Sequence, residues 1–373
     1  MRLFLLMTCL LLSACWWENV DQPVLYPAAF AHLPGWSQDD HAAALRAWRN
    51  SCGVLEKTRA EWQRPFRLTG GQALYITSED LRLLCADMPE AKDAASALAF
   101  FETHFMPYLL TRDGYPAGLI TGYYAPVLKG ARQRSKHYAW PLYKLPPELA
   151  KTEPQNAPDR ASIDAGALEG RGLELLWVDD PVMRFFLHVQ GSGFVELEDG
   201  SRVQLRYAGK NGLPYVPIGR VMAERGIIPL QQVTMPAIRA WLRDHPEKQS
   251  ELFAQNPSYV FFTLEENAPP VIGAQGVPLT SGRSLAVDAT LYPYGLPMFL
   301  TAAVPRGEVT HGEFWQRLMI AQDTGSAIRG PVRADVYFGE GAPAEALAGH
   351  MNSPGSLVLL VPKNAVERSH GAP

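Results

Sequence analysis

Asp323 and Asp335 are the residues whose type and spacing point first to chemistry. They lie twelve positions apart, each inside an apolar run, with the glycine- and proline-containing stretch Thr324–Val332 between them. Alternation along Leu318–Asp323 puts Met319, Ala321 and Asp323 on one face of a strand. In Arg333–Phe338 the apolar face is Ala334, Val336 and Phe338, so Asp335 shares the other with Arg333 and Tyr337. A carboxyl set between apolar neighbours is placed to lose solvent, which raises its pKa and suits it to proton donation near neutrality. A solvated aspartate at a strand end or turn is the plain alternative, and this segment alone leaves both open.

Upstream, further blocks stand in a recognisable order: Thr121-Gly122-Tyr123-Tyr124-Ala125-Pro126, Val189-Gln190-Gly191-Ser192-Gly193, Tyr207-Ala208-Gly209-Lys210-Asn211-Gly212 and Asn256-Pro257-Ser258-Tyr259-Val260-Phe261-Phe262. Gly273-Ala274-Gln275-Gly276-Val277-Pro278-Leu279-Thr280 and Arg283-Ser284-Leu285-Ala286-Val287-Asp288 lead into the aspartate segment. Together, over residues 120–340, they resemble the membrane-bound lytic murein transglycosylase A family. The resemblance implies cleavage of the β-1,4 bond between N-acetylmuramic acid and N-acetylglucosamine in peptidoglycan, with Asp335 as catalytic acid and Asp323 as its supporting carboxylate. Most glycosidases need two carboxylates. Here the muramoyl C6 hydroxyl is the nucleophile and closes a 1,6-anhydro ring, so one carboxyl serves as acid and then as base. The sugar contacts expected are Tyr123, Tyr124, Gln190, Gly191, Ser192, Thr324 and Gly325, with a turn or packing role as the alternative for each.

The fold implied by the resemblance is mainly β with flanking helices: a double-psi β-barrel, a smaller inserted β-rich domain, and a substrate groove between them. Its expected division is a signal peptide over 1–14, a lipidated tether over 15–36, barrel segments over 37–122 and 273–373, and the insert over 123–272. Spacing alone predicts helices over His41–Ser51, Ser78–Cys85 and Pro89–Tyr108, the last with Leu98, Phe100, Phe101 and Phe105 as an apolar stripe for the core. Short strands are expected at Leu175–Val178, Arg184–Gln190, Phe194–Leu197 and Val203–Tyr207, with Glu198-Asp199-Gly200-Ser201 as a hairpin turn. Helices at Gly219–Arg225 and Thr234–His245 follow. Strands resume at Ser258–Thr263, Met298–Ala302, Arg317–Ala321, Arg333–Phe338 and Ser356–Val361.

The N-terminus reads as a lipoprotein signal: Arg2, the apolar run Leu3–Leu12, then Leu12-Ser13-Ala14-Cys15. Lipid on Cys15 would hold the protein at a membrane, and Trp16 rather than an aspartate after it points to the outer membrane, facing the periplasm. Cys52 and Cys85 are then an even pair in an oxidising compartment, with a disulfide expected and two free thiols as the alternative. A net charge of −4 gives no basic surface for nucleic acid. The scattered histidines and the lack of His-Glu-x-x-His or Cys-x-x-Cys imply neither metal site nor cofactor.

Two rival chemistries remain. Asp323-Thr324-Gly325-Ser326 matches the loop of an aspartic protease, but that reaction needs two such loops and the chain has one, preceded by polar Gln322. A hydrolytic glycosidase on the same barrel would draw acid and base from Asp323, Asp335 or Asp288, and would leave reducing ends rather than anhydro ends.

Overall fold

The computed structural model describes residues 22–58, 61–90, 93–150, 157–304 and 313–371. The expected signal and Cys15 lie outside these residues. Five strands come first: β1 (Val24–Pro27), β2 (Gln63–Leu68), β3 (Ala73–Thr77), β4 (Phe105–Thr111) and β5 (Gly118–Ala125). A second sheet follows, made of β6 (Val127–Ala131), β7 (Trp140–Tyr143), β8 (Glu174–Val178), β9 (Gly193–Leu197), β10 (Arg202–Lys210) and β11 (Val260–Glu265). The chain then returns to the first sheet through β12 (Ser284–Val287), β13 (Pro297–Val304), β14 (Glu313–Asp323), β15 (Arg333–Glu340) and β16 (Asn352–Pro362).

The strands β13-β14-β12-β15-β5-β16 close on themselves, because β16 also pairs with β13 from Met298↔Leu359 to Ala302↔Gly355. Two parallel pairs, β12 with β14 and β15 with β5, stand among four antiparallel ones in this double-psi barrel. Closure removes exposed strand edges. Leu285, Val287, Leu300, Ile320, Val336 and Leu359 are fully buried in its core. Strands β4, β1, β2 and β3 extend the sheet beyond the barrel.

The segment expected as a tether is in part built into the sheet that extends from the barrel. Strand β1 pairs with β2 and β4, and Trp36 is buried with its indole N–H on Glu102. Asp39 takes both Arg283 nitrogens at 2.8 Å and the Leu318 amide at 2.7 Å. Helix His41–Leu55 is capped by Asp40 and brings Trp48 into the core against Phe101 and Phe105. Cys52 on this helix is bridged to Cys85 on helix Ser78–Ala86.

Two expected elements differ. Pro89–Tyr108 is not one helix: Ala94–His104 is helical and Phe105 starts β4. Pro107 has no amide hydrogen and disfavours helical geometry in the residue before it, so the chain extends and pairs with β1 and β16. Arg184–Gln190 belongs to a helix, Pro181–Gln190, rather than a strand. Asp180 caps Val182 and Met183, Pro181 occupies the first turn, and Gly191 ends the helix at φ 80°. Those end signals, with Val182, Phe185 and Phe186 buried together, outweigh the local alternation.

The second sheet, in the order β11-β10-β9-β6-β8-β7, begins one residue after β5 and ends at Glu265. It therefore hangs from the barrel by the Pro126 and 266–283 connections. Contacts hold the two parts in place: Arg202 on Glu340 at 2.6 Å, Arg239 on Glu345, and Phe194 packed with Ala125 and Tyr337. A groove runs beside these contacts.

Candidate active site

Strand β12 organises the aspartates. Ala286 is the register partner of Asp323 on one side and of Asp335 on the other, so the two lie two strand spacings apart, roughly 10 Å between backbones. Asp335 is half-buried, and Thr121 of the neighbouring β5 donates its hydroxyl to Oδ1 at 2.7 Å. Among the described residues Oδ2 accepts no hydrogen bond. Burial pushes the carboxyl up to about 6; the Arg333 guanidinium and the Thr121 hydroxyl oppose the rise, and the Asp323 charge adds to it. Desolvation is thus the main cause and the second carboxyl a minor one. Arg333 is turned aside, onto the Thr121 hydroxyl at 2.9 Å and the Ala334 carbonyl at 2.6 Å.

Asp323 has a different setting. Its Oδ1 accepts the backbone N–H groups of Ala274 and Thr324, each at 2.9 Å, and its Oδ2 accepts the Tyr123 phenol at 2.7 Å. Burial raises its pKa even so, against these three donors. Tyr123 is itself held far above its ordinary value, by burial first and by Asp323 second, and stays a donor. The Ala274 contact depends on Gly273, where a Cβ would fall 2.5 Å from the Gln322 carbonyl oxygen. Buried Gln322 ties the loop to the first helix through the Ala47 carbonyl and Ser51, and accepts from Ser284 at 2.6 Å.

Asp288 is not a candidate acid. Burial alone would raise its pKa, but Thr290, the Gly330 amide and Arg329 hold it below the ordinary carboxyl value. Its position fixes the turn between the two aspartates.

A cavity of about 480 Å³ lies between the insert and the barrel. Asp323, Thr324 and Gly325 line its barrel side and Gln190, Gly191 and Ser192 line the other, at the end of a helix rather than in a strand turn. Gln190 is partly committed, because its Oε1 accepts the Tyr124 amide at 3.1 Å. Thr324 likewise spends its hydroxyl on the Val287 carbonyl at 2.8 Å. Tyr124 corrects an expectation: its ring is 1 % exposed in the barrel core and offers no surface to a sugar, since alternation along β5 turns it away from Thr121 and Tyr123. Sequence reasoning passed over other wall residues, among them Tyr207, which is 54 % exposed, and Gln204, His188 and Lys210. Tyr207 and Lys210 belong to the Tyr207–Gly212 motif, whereas nothing local in the sequence marks Gln204. Among the described residues no group of three or more His, Cys, Asp or Glu could hold a metal ion.

Residues 119–263 match the family described as MltA specific insert domain, and residues 283–361 match the 3D domain. The chain is 38% identical over 253 residues to the membrane-bound lytic murein transglycosylase A of Escherichia coli K12, covering 66% of this chain and 67% of that one. The crystal structure of a membrane-bound lytic murein transglycosylase from Agrobacterium tumefaciens aligns with a TM-score of 0.80 at 34% identity, over 93% of this chain and 99% of that chain. The Escherichia coli MltA structure with bound chitohexaose aligns with a TM-score of 0.69 at 30% identity, over 92% of this chain and 96% of that chain.

Proposed function

The chain belongs to the membrane-bound lytic murein transglycosylase A family, and from that premise we propose that it cleaves peptidoglycan with Asp335 as the proton-transferring group. The reaction is the lytic one: the β-1,4 bond after N-acetylmuramic acid opens and a 1,6-anhydromuramoyl end forms. The single observation that carries the assignment is the half-buried Asp335 carboxyl, raised to about 6 and engaged only at Oδ1. Oδ2 is free to hold the proton. Protonated Asp335 gives it to the glycosidic oxygen as the C1–O bond breaks. The carboxylate left behind takes the C6 hydroxyl proton as that oxygen closes on C1, so the group ends as it began. No water enters, and the tethered nucleophile supplies the proximity that an external one would lack.

Asp323 acts as the supporting carboxylate. With three donors it is held rigidly, and its charge favours the positive character that develops at C1. Gln190, Gly191, Ser192 and Gly325 would contact the glycan along the groove, and Tyr207 offers an exposed ring for stacking. Anchoring through lipid on Cys15, at the outer membrane and facing the periplasm, fits the signal at the N-terminus and the membrane-bound relatives. Among the described residues no helix is long and apolar enough to cross a membrane.

The test is digestion of purified sacculi followed by mass spectrometry of the muropeptides, with and without a chelator. Anhydromuramoyl products in both conditions are expected. Reducing ends in their place would overturn the lytic reaction in favour of the hydrolytic one.

A further inference from the structure

Arg333 stands two residues before Asp335 on the same face of β15. A guanidinium so close to a carboxylate ordinarily pairs with it, which would depress the acid's pKa and hold it ionised. This one does not pair. Nη1 donates to the Ala334 carbonyl at 2.6 Å and, at 3.4 Å, to the Leu119 carbonyl, while Nη2 donates to the Thr121 hydroxyl oxygen at 2.9 Å. Thr121 in turn lies 2.7 Å from Oδ1 of Asp335. Arg333 thus spans from β15 to the neighbouring β5 and reaches the acid only through a hydroxyl.

Donor and acceptor capacity sets the direction of that chain. A hydroxyl has one proton and two lone pairs, whereas a guanidinium can only donate. Arg333 therefore fills one lone pair of Thr121, and the hydroxyl proton has one acceptor within reach among the described residues, Oδ1 of Asp335. An acidic proton on Oδ1 would meet the Thr121 proton head-on, so it belongs on Oδ2. Without Arg333 the Thr121 hydroxyl is able to turn, donate to water and accept from Oδ1–H instead. The proton then retreats to the wrong oxygen.

We propose that Arg333 is a positioning residue for the acid: it locks Thr121 as a donor to Oδ1 and so confines the transferable proton of Asp335 to Oδ2. This rests on the Asp335 reading given above and adds the group that aims its proton. Among the described residues no cation touches either oxygen, so the acid can still be protonated. The Arg333 charge acts at a distance as well. The titratable groups facing Asp335 are Arg333 on its own strand, Tyr123 on β5 and Asp323 on β14, while β12 contributes only Ala286 in register. Of the three, Arg333 alone opposes the rise caused by burial.

The experiment measures kcat, KM and the pH–rate profile for release of anhydro ends. The variants are Arg333→Met, Thr121→Val, Thr121→Ser, and one carrying both Arg333→Met and Thr121→Val, with thermal unfolding as the check on folding. At about pH 5 the carboxyl is mostly protonated. There Arg333→Met should lower kcat roughly tenfold, the worth of one hydrogen bond to a charged group, with KM nearly unchanged. Thr121→Val should lose as much, and Thr121→Ser should restore most of that loss. The double variant should be no slower than the slower single, because the two residues act in series. Arg333→Met and Thr121→Val should each move the alkaline limb of kcat/KM to higher pH, since each removes a group that holds the carboxyl down. Losses that multiply in the double variant would overturn the proposal, as would wild-type kcat or an unmoved alkaline limb in Arg333→Met. If Arg333→Met does not fold, Arg333→Gln, which can accept as well as donate, takes its place with the same expectations. Near-normal turnover of Asp335→Asn would strike the acid and this proposal with it. Loss in Asp335→Asn beside a wild-type Arg333→Met would strike the proposal alone.

Discussion

Replacing Asp335 by Asn should make the protein inactive and, above pH 6, more stable. The carboxyl is raised from 3.8 to about 6, mainly by burial. A raised acid pKa means that ionisation is disfavoured in the fold, so the ionised group is a burden. The full displacement corresponds to about 3 kcal/mol, reduced to about 1–3 kcal/mol because solvent reaches this half-buried group. Below pH 4 both folded and unfolded chains hold the proton and the burden is absent. Between pH 4 and 6 the unfolded chain ionises first and the burden grows; above pH 6 it is complete. Asparagine is neutral throughout, and its Oδ1 can still accept the Thr121 hydroxyl now 2.7 Å from Asp335. The gain in melting temperature over wild type should therefore be near zero at pH 4 and reach several degrees at pH 8. Turnover should fall by at least about 10²–10⁴-fold, the usual worth of one proton-transfer group. Thermal unfolding of both proteins across this range, with release of anhydro ends as the activity assay, tests both halves. A variant no more stable at pH 8 than at pH 4 would refute the account of burial; near-normal turnover would refute the role of Asp335.

Tyr123→Phe removes the phenol that donates to Asp323 at 2.7 Å, and with it the foremost hydrogen bond holding that carboxyl down. The Asp323 pKa should rise further, with turnover about tenfold lower or worse and the pH–rate profile displaced; a wild-type profile would contradict this. Cys52→Ala with Cys85→Ala opens a bridge spanning a sequence separation of 33, which should cost about 3–4 kcal/mol in denaturant titration while leaving the pH–rate profile intact. A loss well below 1 kcal/mol would mean that the bridge does not restrain the unfolded chain. Cys15→Ala should abolish lipid labelling and leave the protein unprocessed or released into the periplasm, as fractionation would reveal; unlabelled wild type at the membrane would count against lipid anchoring.

What the linear chain determines about this protein is whatever depends on neighbours in sequence. Apolar alternation marks β14 and β15, and the order of motifs from Thr121 to Asp335 is enough to identify the family. The same alternation puts Arg333, Asp335 and Tyr337 on one strand face. Local pattern fails where a neighbour in space decides. Arg184–Gln190 alternates like a strand but is helical, because caps at Asp180 and Gly191 and packing on Phe253 favour a helix. Tyr123 and Tyr124 look alike in sequence; one reaches Asp323 and the other is sealed in the core. The separation of Asp323 and Asp335 is likewise not a matter of twelve residues of chain. It is set by β12, which enters from far upstream and pairs with both strands at Ala286. The raised pKa of Asp335 comes from desolvation that exists only once the barrel closes around it. The link from Arg333 through Thr121 to Asp335 exists only because β15 pairs with β5, which lies far upstream in the chain. Strand propensity is local and cheap to read, whereas register, closure and burial arise from contacts between distant segments, and those contacts give the carboxyl its proton.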